Sequence, residues 1–339
     1  MSETLATNNQ KRKSIGKRIV YQATEFTTSV GLKIGIERSG LICLLFHAIM
    51  PGATTQASDS VLPALGLRID DYREIFELFL KAGYIFVSAD MLLSDMPDKG
   101  KFVHVTFDDG YFNNVQILPL LEEYNIPAHI FVATSNVLQN KKYWWDAVYQ
   151  HMHLVGKNQA EIASSIESLK KQTHTQITNY LIKEYGVMVF SPCSDVDRPL
   201  TPDELKDLAK HSLITIGNHT RDHILVDRSD SELVLKQVTG AQEDLASIIG
   251  FPPYSFAFPN GNYNHRSLGL LEDNGFKLGF SCDFRSNHLR KDFKGRRKLR
   301  LGRFSFISSL ELNMQCKMFR AADLSPIVLG KRLRKMVRR

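Results

Sequence analysis

The chain has 339 residues, 43% of them hydrophobic and 10% aromatic, which excludes a disordered chain and allows one large α/β domain with extensions or two small domains. No run of about 18 uncharged apolar residues is present, so no segment reads as a transmembrane helix, and the first residues lack the apolar stretch of a secretory leader. The net charge of +7 belongs to the ends: segment 11–18 carries +5 and segment 331–339 carries +6, leaving −4 for the remainder. Polybasic ends suggest peripheral contact with an anionic membrane, worth about 1 kcal/mol per Lys or Arg near the surface. Neither end holds interleaved aromatics or a groove-reading motif, so nucleic acid is not an expected partner. Cys43, Cys193, Cys282 and Cys316 are widely spaced, which excludes a zinc–cysteine site and implies no disulfide framework. Together these features point to a cytoplasmic protein.

Residues 1–40 read as a basic extension. LICLLF (41–46) is a short apolar run without polar alternation, the signature of a buried strand. DDYREIFELFLKA (70–82) repeats apolar positions at helical spacing and stops before Gly83. YIFV (84–87), FVHVTF (102–107) and AHIFVA (128–133) predict strands, with a helix over 113–125. Segment 140–200 breaks this rhythm, and its helix formers suggest an inserted helical subdomain or lid. Thr201, Pro202 and Glu204 form a capping box that starts the next helix. Strands are predicted at 213–217, 254–258, 277–282 and 299–306, and helices at 231–249 and 265–275. Residues 311–339 read as a helical, basic tail. Strands that alternate with helices across 41–306 imply parallel pairing, in a barrel or an open sheet, with the site at the strands' carboxyl ends.

Two constellations sit at such ends. Thr106-Phe107-Asp108-Asp109-Gly110 follows the strand at 102–107, and its paired carboxylates oppose joint ionisation unless a cation compensates. Alone, Asp-Asp-Gly is a common surface turn. His219-Thr220-Arg221-Asp222-His223 follows the strand at 213–217. Histidines four apart meet on one side of a helical turn, so both imidazoles can reach one ion. One carboxylate and two imidazoles supply three protein ligands for zinc or a similar cation and leave room for water.

These motifs resemble the polysaccharide deacetylases of the NodB-homology class, carbohydrate esterase family 4. TFDDG matches the family's first motif and HTRDH its second. FAFPNG (256–261) resembles the FAYPYG variant of one subgroup, and LLFHAI (44–49) resembles that subgroup's strand ending in a histidine. The resemblance covers about 41–306 and implies a distorted (β/α)7-type barrel with a helical insertion at about 140–200. It implies that Asp109, His219 and His223 bind one divalent metal ion, zinc foremost, with cobalt, nickel or manganese as alternatives. Asp108 would be the general base and His47 the general acid. The sequence departs from the commoner pattern in two places. The last strand, LGRFSF, lacks the late histidine, and FAFPNG lacks the usual arginine, a charge that Arg303 would supply near Asp108.

The reaction implied is hydrolysis of an N-acyl group, usually N-acetyl, from an amino sugar in a surface-glycan precursor or polysaccharide. Metal-bound water would attack the amide carbonyl, Asp108 would take its proton, and His47 would protonate the leaving amine. Tyr111, Trp145, Pro259, Asn260 and Gly261, with Arg303, are candidate substrate contacts, and Asn113 and Asn114 are candidates for the mouth. Run 290–303 holds eight basic residues and reads as a solvated loop or as a phosphate contact. Deformylation or O-deacetylation of a lipid-linked sugar would use the same residues. A glycan-binding protein that keeps the fold without turnover is the alternative of another class.

Overall fold

A computed structural model describes residues 22–33, 37, 39–51, 59–94, 96–307, 310–321, 326–328 and 330. The basic segments 11–18 and 331–339 lie outside the described residues. Helix α1 covers 22–33. The strands are β1 Gly40–Phe46, β2 Ala48–Ile49, β3 Gly66–Leu67, β4 Ile85–Phe86, β5 Lys101–Phe107, β6 Ala128–Val132, β7 Ile214–Asn218, β8 Ser255–Ala257, β9 Leu278–Phe280 and β10 Arg303–Ser305. The remaining helices are α2 Ile69–Lys81, α3 Ala89–Leu93, α4 Leu118–Tyr124, α5 Thr134–Gln139, α6 Trp144–Leu154, α7 Gln159–Leu169, α8 His174–Tyr185, α9 Pro202–Leu208, α10 Ser231–Ile249, α11 His265–Asp273 and α12 Leu312–Arg320.

Seven strands pair in the order β10-β1-β5-β6-β7-β8-β9, every pair parallel, while β4 adds to the edge of β5. A parallel bridge from Phe280, the end of β9, to Leu301 just before β10 nearly closes the ring. The result is a distorted (β/α)7 barrel surrounded by helices. Period-two alternation sorts its side chains. Leu41, Cys43, Phe102, Phe131, Ala257, Leu278, Phe280 and Leu301 pack together inside the barrel. Val103, Val105, Phe107, Ile130 and Phe304 face outward to the helices. Helix α2 meets this outer layer with Tyr72, Ile75, Phe76 and Phe79, one face at helical spacing. Fully burying side chains of this size contributes about 1.5–3 kcal/mol each.

The barrel floor also holds polar groups. The contacts form one directed chain: the Ser255 hydroxyl donates to His129 Nε2 (2.7 Å), His129 Nδ1–H to His104 Nε2 (3.3 Å), and His104 Nδ1–H to the Val87 carbonyl (2.9 Å). Both imidazoles are therefore satisfied in the neutral form. Burial pushes the His104 pKa down to about 4, against the pull of the Val87 carbonyl.

Several sequence expectations shift. The helix predicted over 113–125 is a 3-10 turn at Phe112–Ile117 followed by α4. Asn113, expected at the mouth, is fully buried: its side chain accepts from Ile49 N–H and donates to the Val196 carbonyl. The predicted strand 299–306 is reduced to β10, because 295–300 form a 3-10 turn and Gly302 N–H is taken by Asn287. Three helices, α6 to α8, lie in the stretch between β6 and β7 and share their own core of Trp144, Val148, Ile162, Ile166, Ile177 and Leu181. The segment from 311, expected as a tail, begins with α12, which buries Met314, Met318 and Phe319 in the main core. Glu37 pairs with both Lys101 and Arg320, joining a residue shortly before β1 and the end of α12 to the start of β5. Run 290–298 lies at the amino ends of the strands, where Asn287 exchanges backbone bonds with Leu41 and Arg290 pairs with Asp98. The fold therefore removes it from the mouth. No described helix is long and apolar enough to cross a membrane.

Candidate active site

Alternation along β5 puts His104 and Thr106 on the inner face and brings Asp108 to the mouth. Asp108 N–H continues the ladder to the Phe46 carbonyl (2.9 Å), which fixes the acid at the strand's end. Its carboxylate receives both arms of the Arg303 guanidinium, at 2.6 and 2.7 Å. Arg303 is fully buried, and it also donates to Thr106 Oγ1 and the Ser281 carbonyl. Burial alone would raise the Asp108 pKa, but Arg303 above all, with His219, holds it down to about 2. A bidentate pair of this kind fixes both charge and orientation.

The chain then turns sharply. Asp109 has φ 79 and Gly110 φ 90. A Cβ on Gly110 would meet Val132 side-chain atoms at 3.2 Å, a tight approach on backbone that already favours glycine. Asp109 is swung under the His219 and His223 rings. Its Oδ1 is 3.5 Å from Nε2 of each.

The two histidines do not share a helical turn, as their spacing suggested. Residues 219–223 are irregular, and left-handed backbone at Thr220 (φ 65) and His223 (φ 51) folds the rings together. A β-branched residue in that region is strained. Asn218 holds it there, accepting Thr220 N–H and donating to the Val238 carbonyl and Gln242. His219 Nδ1–H donates to the Ala257 carbonyl at 2.7 Å, which leaves Nε2 as the free lone pair.

Asp109, His219 and His223 each present one ligand atom, all within 4.8 Å of one another. Both Asp109 carboxylate oxygens and His219 Nε2 are buried with no hydrogen-bond partner. Unsatisfied buried polar atoms are costly, and native proteins rarely tolerate several in one place. A carboxylate and two imidazoles fit a divalent transition metal, and such an ion would satisfy all three orphans. Burial opposes protonation of His219, yet Asp108 and Asp109 prevail and raise its pKa. Burial lowers that of His223 to about 3, against the pull of Asp109.

His47 follows β1 and lines the same cavity of about 270 Å³ as Asp108, Asp109, His223, Trp145 and Asn260. Asn114 donates to its carbonyl (2.6 Å). Desolvation lowers the His47 pKa, and the charges of Asp109 and Asp108 oppose this. Trp145, from α6, sets its ring against that of His223, with centroids 4.7 Å apart. Tyr111, expected at the mouth, is instead fully buried behind Trp145. Its hydroxyl accepts from Trp145 Nε1 (2.9 Å) and donates to Asp146 (2.6 Å). Asn260 reaches the cavity with φ 55, while Pro259 and Gly261 are buried beneath it. Sequence reasoning missed Tyr143, whose hydroxyl donates to the Asp109 carbonyl (2.7 Å) and whose ring stacks on Trp145. Only its place in the aromatic cluster KYWW hinted at it.

A family model described as polysaccharide deacetylase matches residues 95–279, more than half of the chain. The chain belongs to the polysaccharide deacetylase family. The matched stretch includes Asp108, Asp109, His219, His223 and 259–261; His47 and Arg303 lie outside it. YxkH of Bacillus subtilis (strain 168), named for the same family, is 22% identical over 283 residues, which is 81% of this chain and 75% of that protein. The solved structure of Streptococcus pyogenes deacetylase PplD in complex with acetate matches with a TM-score of 0.55 at 15% identity, over 83% of this chain and 99% of that one. A de-N-acetylase from Aggregatibacter actinomycetemcomitans matches with a TM-score of 0.53 at 15% identity, over 80% and 96%. These structural likenesses speak for the polysaccharide deacetylase fold.

Proposed function

We propose that this chain is a metal-dependent carbohydrate deacetylase that removes an N-acyl group, usually N-acetyl, from an amino sugar in a polysaccharide or surface-glycan precursor. The observation that carries the proposal is the buried Asp109–His219–His223 cluster with its unsatisfied ligand atoms, set beside an ionised Asp108. The names of two structural neighbours, a deacetylase in complex with acetate and a de-N-acetylase, agree with this class of reaction.

Asp109, His219 and His223 would hold the ion, zinc foremost, since a set of two nitrogens and one oxygen suits it. When bound, such an ion polarises an amide carbonyl and acidifies water towards a pKa of about 7. Asp108 is the base: Arg303 keeps it charged and aimed, at some cost in basicity, so it acts on a proton already made acidic. His47 is the acid that protonates the departing amine, with Asn114 fixing its backbone. Trp145 and Asn260 meet the substrate. A cytoplasmic site of action, with the basic ends resting on an anionic membrane, completes the proposal.

The test is a metal-replete screen against N-acetylated sugars in free, nucleotide-linked and lipid-linked form, reading out free amine. Asp108→Asn should keep about one metal per chain while turnover falls by about 10²–10⁴. A near-normal rate in that variant ends the assignment of Asp108 as base.

A further inference from the structure

Two walls of the catalytic cavity come from outside the barrel. One is the segment from Leu62 to Leu67, and the other is Trp145 on α6. The segment is tied at one end by β3, which pairs with β2 directly after His47, Ala48 with Gly66 and Ile49 with Leu67. Met50 N–H extends that tie to the Leu67 carbonyl (2.8 Å). The other end hangs on a single side chain of the opposite wall. Asp146, fully buried in the first turn of α6, accepts Leu62 N–H at Oδ1 (2.8 Å).

The second oxygen of the same carboxylate serves Trp145. Oδ2 accepts the Tyr111 hydroxyl (2.6 Å), whose own oxygen accepts Trp145 Nε1–H (2.9 Å). Held in this way, the Trp145 ring stands edge-on to His223 and stacks on Tyr143, whose hydroxyl reaches the Asp109 carbonyl. A carboxylate accepts at both oxygens and donates nothing, so it satisfies both donors and sets the direction in which Tyr111 points its proton. An amide of the same shape has one acceptor and would turn a donor towards Tyr111. The arrangement is costly. Burial, with Asp109 and Asp197 adding to it, pushes the Asp146 pKa up to about 8, against the hydrogen bonds from Tyr111 and Leu62. Packing alone would be better served here by an apolar residue.

We infer that Asp146 is a positioning residue, whose carboxylate clamps the Leu62–Leu67 segment and Trp145 together and so sets where the sugar rests against the metal ligands. This rests on the hydrolytic reading of the site and deepens it. Asp108 and His219 take their orientation from Arg303 and the Ala257 carbonyl, not from Asp146. Loss of the clamp should therefore reach KM more than kcat.

The metal-loaded full chain and its variants are assayed at pH 9, where the Asp146 carboxylate is charged, with the N-acetylglucosamine dimer as substrate. Tyr111→Phe cuts the Trp145 arm and should raise KM about ten-fold, as for one hydrogen bond in a charged chain, with kcat changed less than about three-fold. Asp146→Ala cuts both arms and should raise KM further. The double variant should be no worse than Asp146→Ala, because the two residues act through one chain. Metal content should stay at about one ion per chain throughout. A normal KM in Tyr111→Phe, a fall in kcat at unchanged KM, or additive effects in the double variant overturns the inference. If Asp146→Ala does not fold, the KM of Tyr111→Phe decides. A second reading needs no turnover. The chain has two tryptophans, so Trp144→Phe leaves Trp145 as the sole emitter. On that background Tyr111→Phe should move the Trp145 emission to the red. A red shift in a chain that hydrolyses no sugar keeps the clamp and defeats only the hydrolytic reading. Unchanged emission defeats the clamp itself, whatever the turnover.

Discussion

Two buried polar clusters share the barrel interior, and they treat their valences in opposite ways. On the floor, Ser255, His129, His104 and the Val87 carbonyl pass hydrogen bonds in one direction until every group is satisfied. At the mouth, just past the carboxyl end of the strand that carries His104, Asp109 and His219 are equally buried yet keep three polar atoms without hydrogen-bond partners. Burial and residue type alone do not separate them, since both contain two histidines. What separates them is saturation. A saturated buried cluster contributes to the fold; an unsaturated one is held open at the fold's expense, for something that binds.

The largest effect that would break this contrast comes from the open cluster. His219→Ala with His223→Ala should lower bound metal from about one ion per chain to near zero by elemental analysis, and abolish turnover. Metal content unaffected by the double substitution would leave the two clusters alike. Next in size is the charge beside it. Arg303→Met strands the buried Asp108 carboxylate and should cost about 3–5 kcal/mol of unfolding free energy in denaturant titration.

The floor responds to acid. Between its folded value of about 4 and its ordinary value of 6.5, His104 binds a proton only in the unfolded chain. Its contribution is therefore complete above pH about 6.5 and is lost as the pH falls towards 4, by about 3 kcal/mol. His129→Leu orphans its two neighbours and should cost about 1–3 kcal/mol while leaving metal content unchanged. Chemical denaturation across that pH range reads both. The smallest effect sharpens the contrast most. In metal-free protein at a pH where His219 is neutral, Asp109→Asn should alter stability by less than about 1 kcal/mol, because the native carboxylate then has no hydrogen-bond partner to lose. A large loss there would mean that the open cluster stabilises the fold after all.

Much of this was legible in sequence. The apolar runs at β1, β5 and β6, the Gly83 stop after α2, and the Thr201–Glu204 capping box are local signals, and local physics realised them. The positions of Asp108, Asp109, His219 and His223 followed from strand ends. The means by which they converge did not. Left-handed backbone at Asp109 and Thr220 depends on Tyr143, 34 positions from Asp109, and on Asn218, which Val238 and Gln242 hold in place. Backbone carbonyls such as that of Ala257, which sets the tautomer of His219, leave no mark in sequence at all. Asn113 and Asn114 illustrate the reverse: they read as candidates for the mouth, and the structure spends them bracing the backbone from His47 to Ile49.

The grip of Arg303 on Asp108 has a consequence for assembly. The Asp108 carboxylate is made at the end of an early strand and the arginine that steadies it on the last, 195 positions later. A chain released from the ribosome before β10 would already carry every candidate metal ligand but nothing to restrain that acid. Competence for chemistry would then arrive with the final strand.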